Sequence, residues 1–99
     1  MEIINKPIPL VEKEEIPSFQ FGQEDVLTDP EARKKRIADL NRAASLGNGY
    51  HGKVEITFKT VDGEPKRVDT TVWTLDEKFI MLKAACALPI IAILGIEFF

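Results

Sequence analysis

Ninety-nine residues, 44% hydrophobic and 29% charged, fit one small globular domain and leave no room for a second. The net charge of −3 excludes a uniformly basic surface. A core of this size gives a net stability of about 5 kcal/mol, so support from a partner subunit is expected.

The charge is unevenly spread. Residues 1–28 hold two Lys and six Asp or Glu, residues 29–67 hold nine Lys or Arg and six acids, and residues 68–99 hold two and four. An acidic arm therefore precedes a mildly basic middle. Cys86 is the only cysteine. Its apolar setting suits a buried thiol in a reducing compartment. No basic stretch followed by an apolar one opens the chain, and a cytoplasmic location is expected.

Residues 1–28 read as an extended arm. Pro7, Pro9 and Pro17 break any helix, and the residue before a proline favours extended backbone. Yet Ile8, Leu10, Val11, Phe19 and Phe21 are too apolar for a solvated tail. The arm is expected to dock on its own domain or on a neighbour's exposed strand edge, and its acids are placed to cover a basic helix.

Residues 29–99 read as one helix-plus-strand domain. Thr28 and Glu31 match a capping box, and Pro30 suits a first helical turn. Ile37, Leu40 and Ala44 form an apolar stripe at helical spacing, and Gly47 is expected to end the helix near residue 46. Val54, Ile56 and Phe58 alternate with polar residues over 53–61, Asp62-Gly63 signals a hairpin, and the strand returns from Lys66 to Thr74. Residues 75–88 admit a helix opened by Thr74 and Glu77 and closed by Pro89. The compact run Phe79–Leu82 between Lys78 and Lys83 favours a buried strand after a turn at Asp76-Glu77. The run Ala84–Ile96 carries no polar side chain, but its thirteen residues are too few for a bilayer span, which needs about 20. It is read as strand Ala85–Leu88, a 3₁₀-like turn after Pro89, and strand Leu94–Phe98, with Ile90, Ile93 and Ile96 inward.

A helix followed by five short, strongly bent strands resembles the small β-barrels of SH3-like and Sm-like proteins. The resemblance covers residues 29–99 and rests on the order of elements. The Sm-like pattern of paired glycine and asparagine before the last two strands is absent. The expected fold is α+β, mainly β: an N-terminal helix and a five-stranded antiparallel barrel, the alternative being α-β-β-α-β with a helix over 75–88.

Gly47 to Val54 spells G-x-G-x-x-G-x-V, a phosphate-loop string. That mechanism needs a strand before and a helix after it, so that the helix N-terminus faces the phosphates. Here the order is reversed, and the string reads as a helix end and a link. His51 is the only histidine and reads as a loop residue, because one His and one Cys cannot complete a metal site. Glu14-Glu15, Glu24-Asp25 and Asp76-Glu77 are neighbours in sequence, which places them in solvent rather than face to face in a cleft. Neither an enzyme nor a cofactor is expected.

Arg33-Lys34-Lys35-Arg36 is the densest cationic run. Four consecutive helical residues point all round the axis, so a solvated surface is the plain reading. The sharper reading is phosphate contact by Arg33, Lys34 and Arg36 with Arg42, Lys53, Lys66 and Arg67, and with Tyr50 and Trp73 as stacking faces. Trp73 in so small a domain is also a natural core residue. Two functions follow: a binding or regulatory module for nucleic acid or another acidic partner, or an assembly protein acting through self-association. The motive for the second is the long apolar run and the terminal Phe98 and Phe99, which a small domain has trouble hiding. No membrane partner is expected.

Overall fold

A computed structural model describes residues 8–50, 52–84 and 86–99, without the side chain of Tyr50. The expectations placed on residues 1–7, His51, Ala85 and the Tyr50 ring lie outside the described residues. Among the described residues one α-helix, α1 (Pro30–Tyr50), precedes six strands: β1 (Val54–Lys59), β2 (Pro65–Thr70), β3 (Val72–Leu75), β4 (Phe79–Leu82), β5 (Cys86–Pro89) and β6 (Ile93–Phe98). The fold is α+β and mainly β. The strands form two three-stranded antiparallel sheets, β2–β1–β6 and β3–β4–β5.

The strand expected over 66–74 is divided. Thr71, 5% exposed, interrupts it, and its carbonyl accepts the Lys83 N–H at 3.0 Å. The chain thereby leaves the first sheet for the second without a loop. It returns through a short 3₁₀ turn, Ile90–Ala92, between β5 and β6. Among the described residues of 75–88 no helix forms. Asp76 opens a turn instead, its Oδ1 accepting the N–H groups of Lys78 and Phe79 at 2.8 Å each. Those bonds, the Phe79 one foremost, hold its carboxyl below the usual aspartate range. In the β1–β2 hairpin Gly63 takes φ +80°, which glycine adopts without strain.

The facing sides of the sheets make the core. Val54, Ile56, Phe58, Val68 and Ile93 of the first sheet and Val72, Ile80, Leu82 and Leu88 of the second are fully buried. Each such side chain stabilises the fold by roughly 1.5–3 kcal/mol. The apolar run is absorbed here: Cys86, Leu88, Ile90, Ala92, Ile93 and Ile96 are all buried. The expected difficulty of hiding it does not arise, because the run crosses from one sheet to the other and lines both. Beyond the run, the terminal Phe99 is left open, 78% exposed.

The arm belongs to the same core. Pro9–Val11 runs beside β2: the Arg67 N–H donates to Pro9 O and the Val11 N–H to Arg67 O, each at 2.8 Å. A 3₁₀ segment, Lys13–Ser18, then packs on β5 and β2 and buries Ile16 completely. Phe19 and Phe21 tilt against Phe58 with ring centroids 6.1 and 6.0 Å away. Thus the arm covers the chain's own strand edge.

Helix α1 differs from its sequence reading at both ends. Asp29, not Thr28, caps it, its Oδ1 accepting the Glu31 N–H at 3.2 Å, with Pro30 as the first helical residue. Gly47 does not stop it. The helix packs on β3 and β6, and Gly47 is buried so close to β3 that a Cβ there would lie 1.9 Å from Val72 O. The buried stripe is Arg36, Leu40, Ala43 and Gly47, with Ala44 beside it, whereas Ile37 is 42% exposed. No helix among the described residues is long and apolar enough to cross a membrane.

Candidate functional site

Where each cation's charge goes separates the candidates. Arg36 is a correction: it is only 5% exposed and faces inward. Its guanidinium grips both oxygens of Asp25 at 2.8 and 2.7 Å and donates to Ile93 O at 3.0 Å. Arg33 donates to Leu27 O at 2.7 Å and lies 3.3 Å from the same Asp25. These contacts hold the Asp25 carboxyl below its ordinary range, the Arg36 hydrogen bond first and the Leu27 N–H also helping, against the opposing effect of burial. Arg67 is engaged by Glu55 at 3.0 Å and by Ile8 O at 2.9 Å. Arg42 lies 4.2 Å over the Phe98 ring and Lys66 5.4 Å over the Phe19 ring. Lys34 stands 3.8 Å from Glu31 in full solvent, a pairing worth little. The helical run is therefore largely occupied within the fold, and no single face collects it.

Lys53 is different. Among the described residues neither it nor Lys83 forms an ion pair. Both line one pocket of about 500 Å³ together with Gly47, Asn48, Thr71 and Trp73. The close approach of Gly47 to Val72 sets the helix end against β3 and brings Asn48 to the pocket. The Thr71–Lys83 backbone bond fixes the turn after β4 beside it. Ala84, at φ +67°, takes the left-handed conformation that tightens this turn. Trp73, 40% exposed, is a pocket wall and not a core residue, because it follows buried Val72 and so points to the other side of its strand.

Among the described residues the pocket's lining has two ammonium groups and no carboxylate. The C-terminal carbonyls of α1 bring a partial charge of about −0.5, which two full positive charges outweigh. The lining offers ammonium groups that can meet an anion's charge and an indole face that can stack on a flat ring. A second groove, about 330 Å³ between α1 and β6, includes Lys35, Arg36, Asp39 and Glu97. Lys35 already pairs with Asp39 at 2.7 Å and Arg36 with Asp25, so this groove offers no comparable surplus. Among the described residues no three His, Cys, Asp or Glu side chains gather into a metal-binding group.

Sequence reasoning singled out Lys53 and Trp73 but missed Lys83 and Asn48. Lys83 is an isolated lysine at the edge of an apolar run, and Asn48 sits beyond the expected helix end. The signal for Lys83 was its place at the start of a turn between two strands. Compared with known proteins, the chain matches no family model, no curated protein and no solved structure.

Proposed function

We propose that this chain is a non-enzymatic binding module that takes a nucleotide unit of a nucleic acid in the pocket of Lys53, Lys83 and Trp73. The carrying observation is the placement, beside the only tryptophan, of two lysines that have no carboxylate partner among the described residues. Phosphate oxygens meet the ammonium groups and the base stacks on the indole. Such stacking is worth about 1–3 kcal/mol per base. A reducing compartment suits the buried, unpaired Cys86, and a cytoplasmic site of action goes with it.

The proposed architecture is a small, open barrel of the SH3-like or Sm-like kind. Two features support it: β2 and β3 run as one bent strand through Thr71, and a 3₁₀ turn links β5 to β6. Counting β2 and β3 together leaves five strands behind one helix. The helix lies on β3 and β6 and the arm's 3₁₀ segment on β5 and β2, so each covers one gap between the sheets.

The test uses Trp73 as its own reporter, since no other tryptophan contributes to the fluorescence. Titration with oligothymidylate at low salt is expected to quench it. The affinity should fall with salt at a log–log slope near −1.4, the value for about two phosphate contacts on a single strand. The double substitution Lys53→Ala, Lys83→Ala is expected to remove binding while leaving thermal unfolding unchanged. Constant fluorescence and an unshifted gel band at saturating oligonucleotide would refute the reading.

A further inference from the structure

The outer faces of the two sheets are chemically opposite. On the first sheet, Glu55 stands between Asp69 and Glu97, and Thr57 between Arg67 and Gly95. That face is polar, as expected of a sheet side turned to water. On the second sheet, the register sets Thr74 beside Met81 and Met81 beside Ala87, with Phe79 beside Pro89. Trp73, at the register shift between Val72 and Thr74, lies at one corner, and Phe79, 44% exposed, lies toward the opposite end of β4. Among the described residues no charged side chain interrupts this face, yet Lys78 and Lys83 flank β4 at its two ends and Lys53 borders the Trp73 corner. Lys78, like the other two, has no ion pair among the described residues.

We propose that this face is a platform for an unpaired nucleic-acid strand, with Phe79 as a second stacking position beyond Trp73. The inference rests on the pocket reading above and extends it from one nucleotide to several. Two to three residues along β4 and one strand across separate the two rings, a distance on the order of 10 Å. One base cannot cover both, so the ligand is a strand and not a mononucleotide. Duplexes do not fit, because their base faces are already stacked. The rim lysines complement a backbone that carries a charge at every step.

Self-association is the competing use of the same face. Trp73 and Phe79, 40% and 44% exposed, each leave on the order of 80–100 Å² open. With their smaller neighbours the patch reaches roughly 300–400 Å², well short of the ~800 Å² each partner gives to a stable dimer. A two-fold contact would also bring the lysine rims of two copies together.

The experiment compares thymidine monophosphate with oligothymidylates of two, four and eight residues, on the wild type and on Phe79→Ala, by Trp73 fluorescence. Phe79 is half open to solvent, so the variant should keep its fold, checked by circular dichroism. Wild-type affinity is expected to rise from one residue to four. Phe79→Ala should weaken the four-residue ligand by about 5- to 150-fold and leave the monophosphate unchanged, with Phe79→Tyr restoring the difference. Equal affinity for all lengths, or no effect of Phe79→Ala, would overturn the platform while the pocket stands. No response to any ligand takes the pocket with it. A dimer in sedimentation without oligonucleotide, lost in Phe79→Ala, would assign the face to assembly and also overturn the proposal.

Discussion

Gly47 carries more of the geometry than its size suggests. A residue that weakens helices in isolation by about 1 kcal/mol sits inside α1, because only a bare Cα lets the helix reach the Val72 carbonyl. In Gly47→Ala the new Cβ would start 1.9 Å from Val72 O. Backbone cannot swing aside as a side-chain tip can, so helix and strand must separate. The gain in helix propensity recovers part of the cost, and strain of 1–3 kcal/mol or more exceeds it. Net destabilisation of about 1–2 kcal/mol is expected from the urea midpoint, together with weakened oligonucleotide binding, since Asn48 and Trp73 move apart. An increase in stability would contradict the close approach. This role was not legible in the sequence. A glycine followed by Asn-Gly reads as a helix end by every local rule, and only the strand packed against it explains its presence mid-helix.

At the scale of elements, the clasp between the arm and α1 is the most exposed to test. Arg36 is buried, and Asp25 supplies its counter-charge with a side chain only 14% exposed. Removing one partner of a buried pair costs about 3–5 kcal/mol; the partial exposure of Asp25 places Asp25→Asn nearer 2–3 kcal/mol at pH 7. The sign with pH follows from the depressed Asp25 pKa, caused first by the Arg36 hydrogen bond. Its stabilisation is present above the unfolded-state value near 3.9 and is lost as pH falls through the lower folded value. The wild type should lose stability below about pH 4 more steeply than Asp25→Asn, by urea unfolding at successive pH values. Parallel curves would show that the pair contributes nothing to acid sensitivity. Much of the element order was readable: alternation marked β1, Asp62-Gly63 its turn, and the apolar run Phe79–Leu82 marked β4. The break at Thr71 was not, because Val68 to Trp73 is rich in β-branched residues with no punctuation. Nor was the fate of Arg36, whose partners lie 11 and 57 positions away.

For the whole molecule, the question is whether the acidic arm is a removable cover or a structural part. Its charge suggested a cover, and Asp25 does sit on α1. Its apolar side chains decide otherwise. Ile16 is fully buried and Phe19 and Phe21 pack on Phe58, so three large side chains come from a segment that charge alone would assign to solvent. Losing them forfeits roughly 1.5–3 kcal/mol for Ile16 and less for each of the half-buried Phe19 and Phe21, exposes Phe58, and orphans Arg36. Against a net stability of 5–15 kcal/mol for a domain, a chain beginning at residue 28 should not fold. Circular dichroism should show it largely unstructured, and adding the excised segment as a peptide should restore structure in proportion to its concentration. A folded fragment with tighter oligonucleotide binding would instead make the arm an inhibitory cover. The distinction also separates two uses of its acidity: in a cover it competes with ligand for Lys53 and Lys83, whereas in a structural arm Asp25 is engaged by Arg36 and Arg33 and leaves Lys53, Lys78 and Lys83 to a strand.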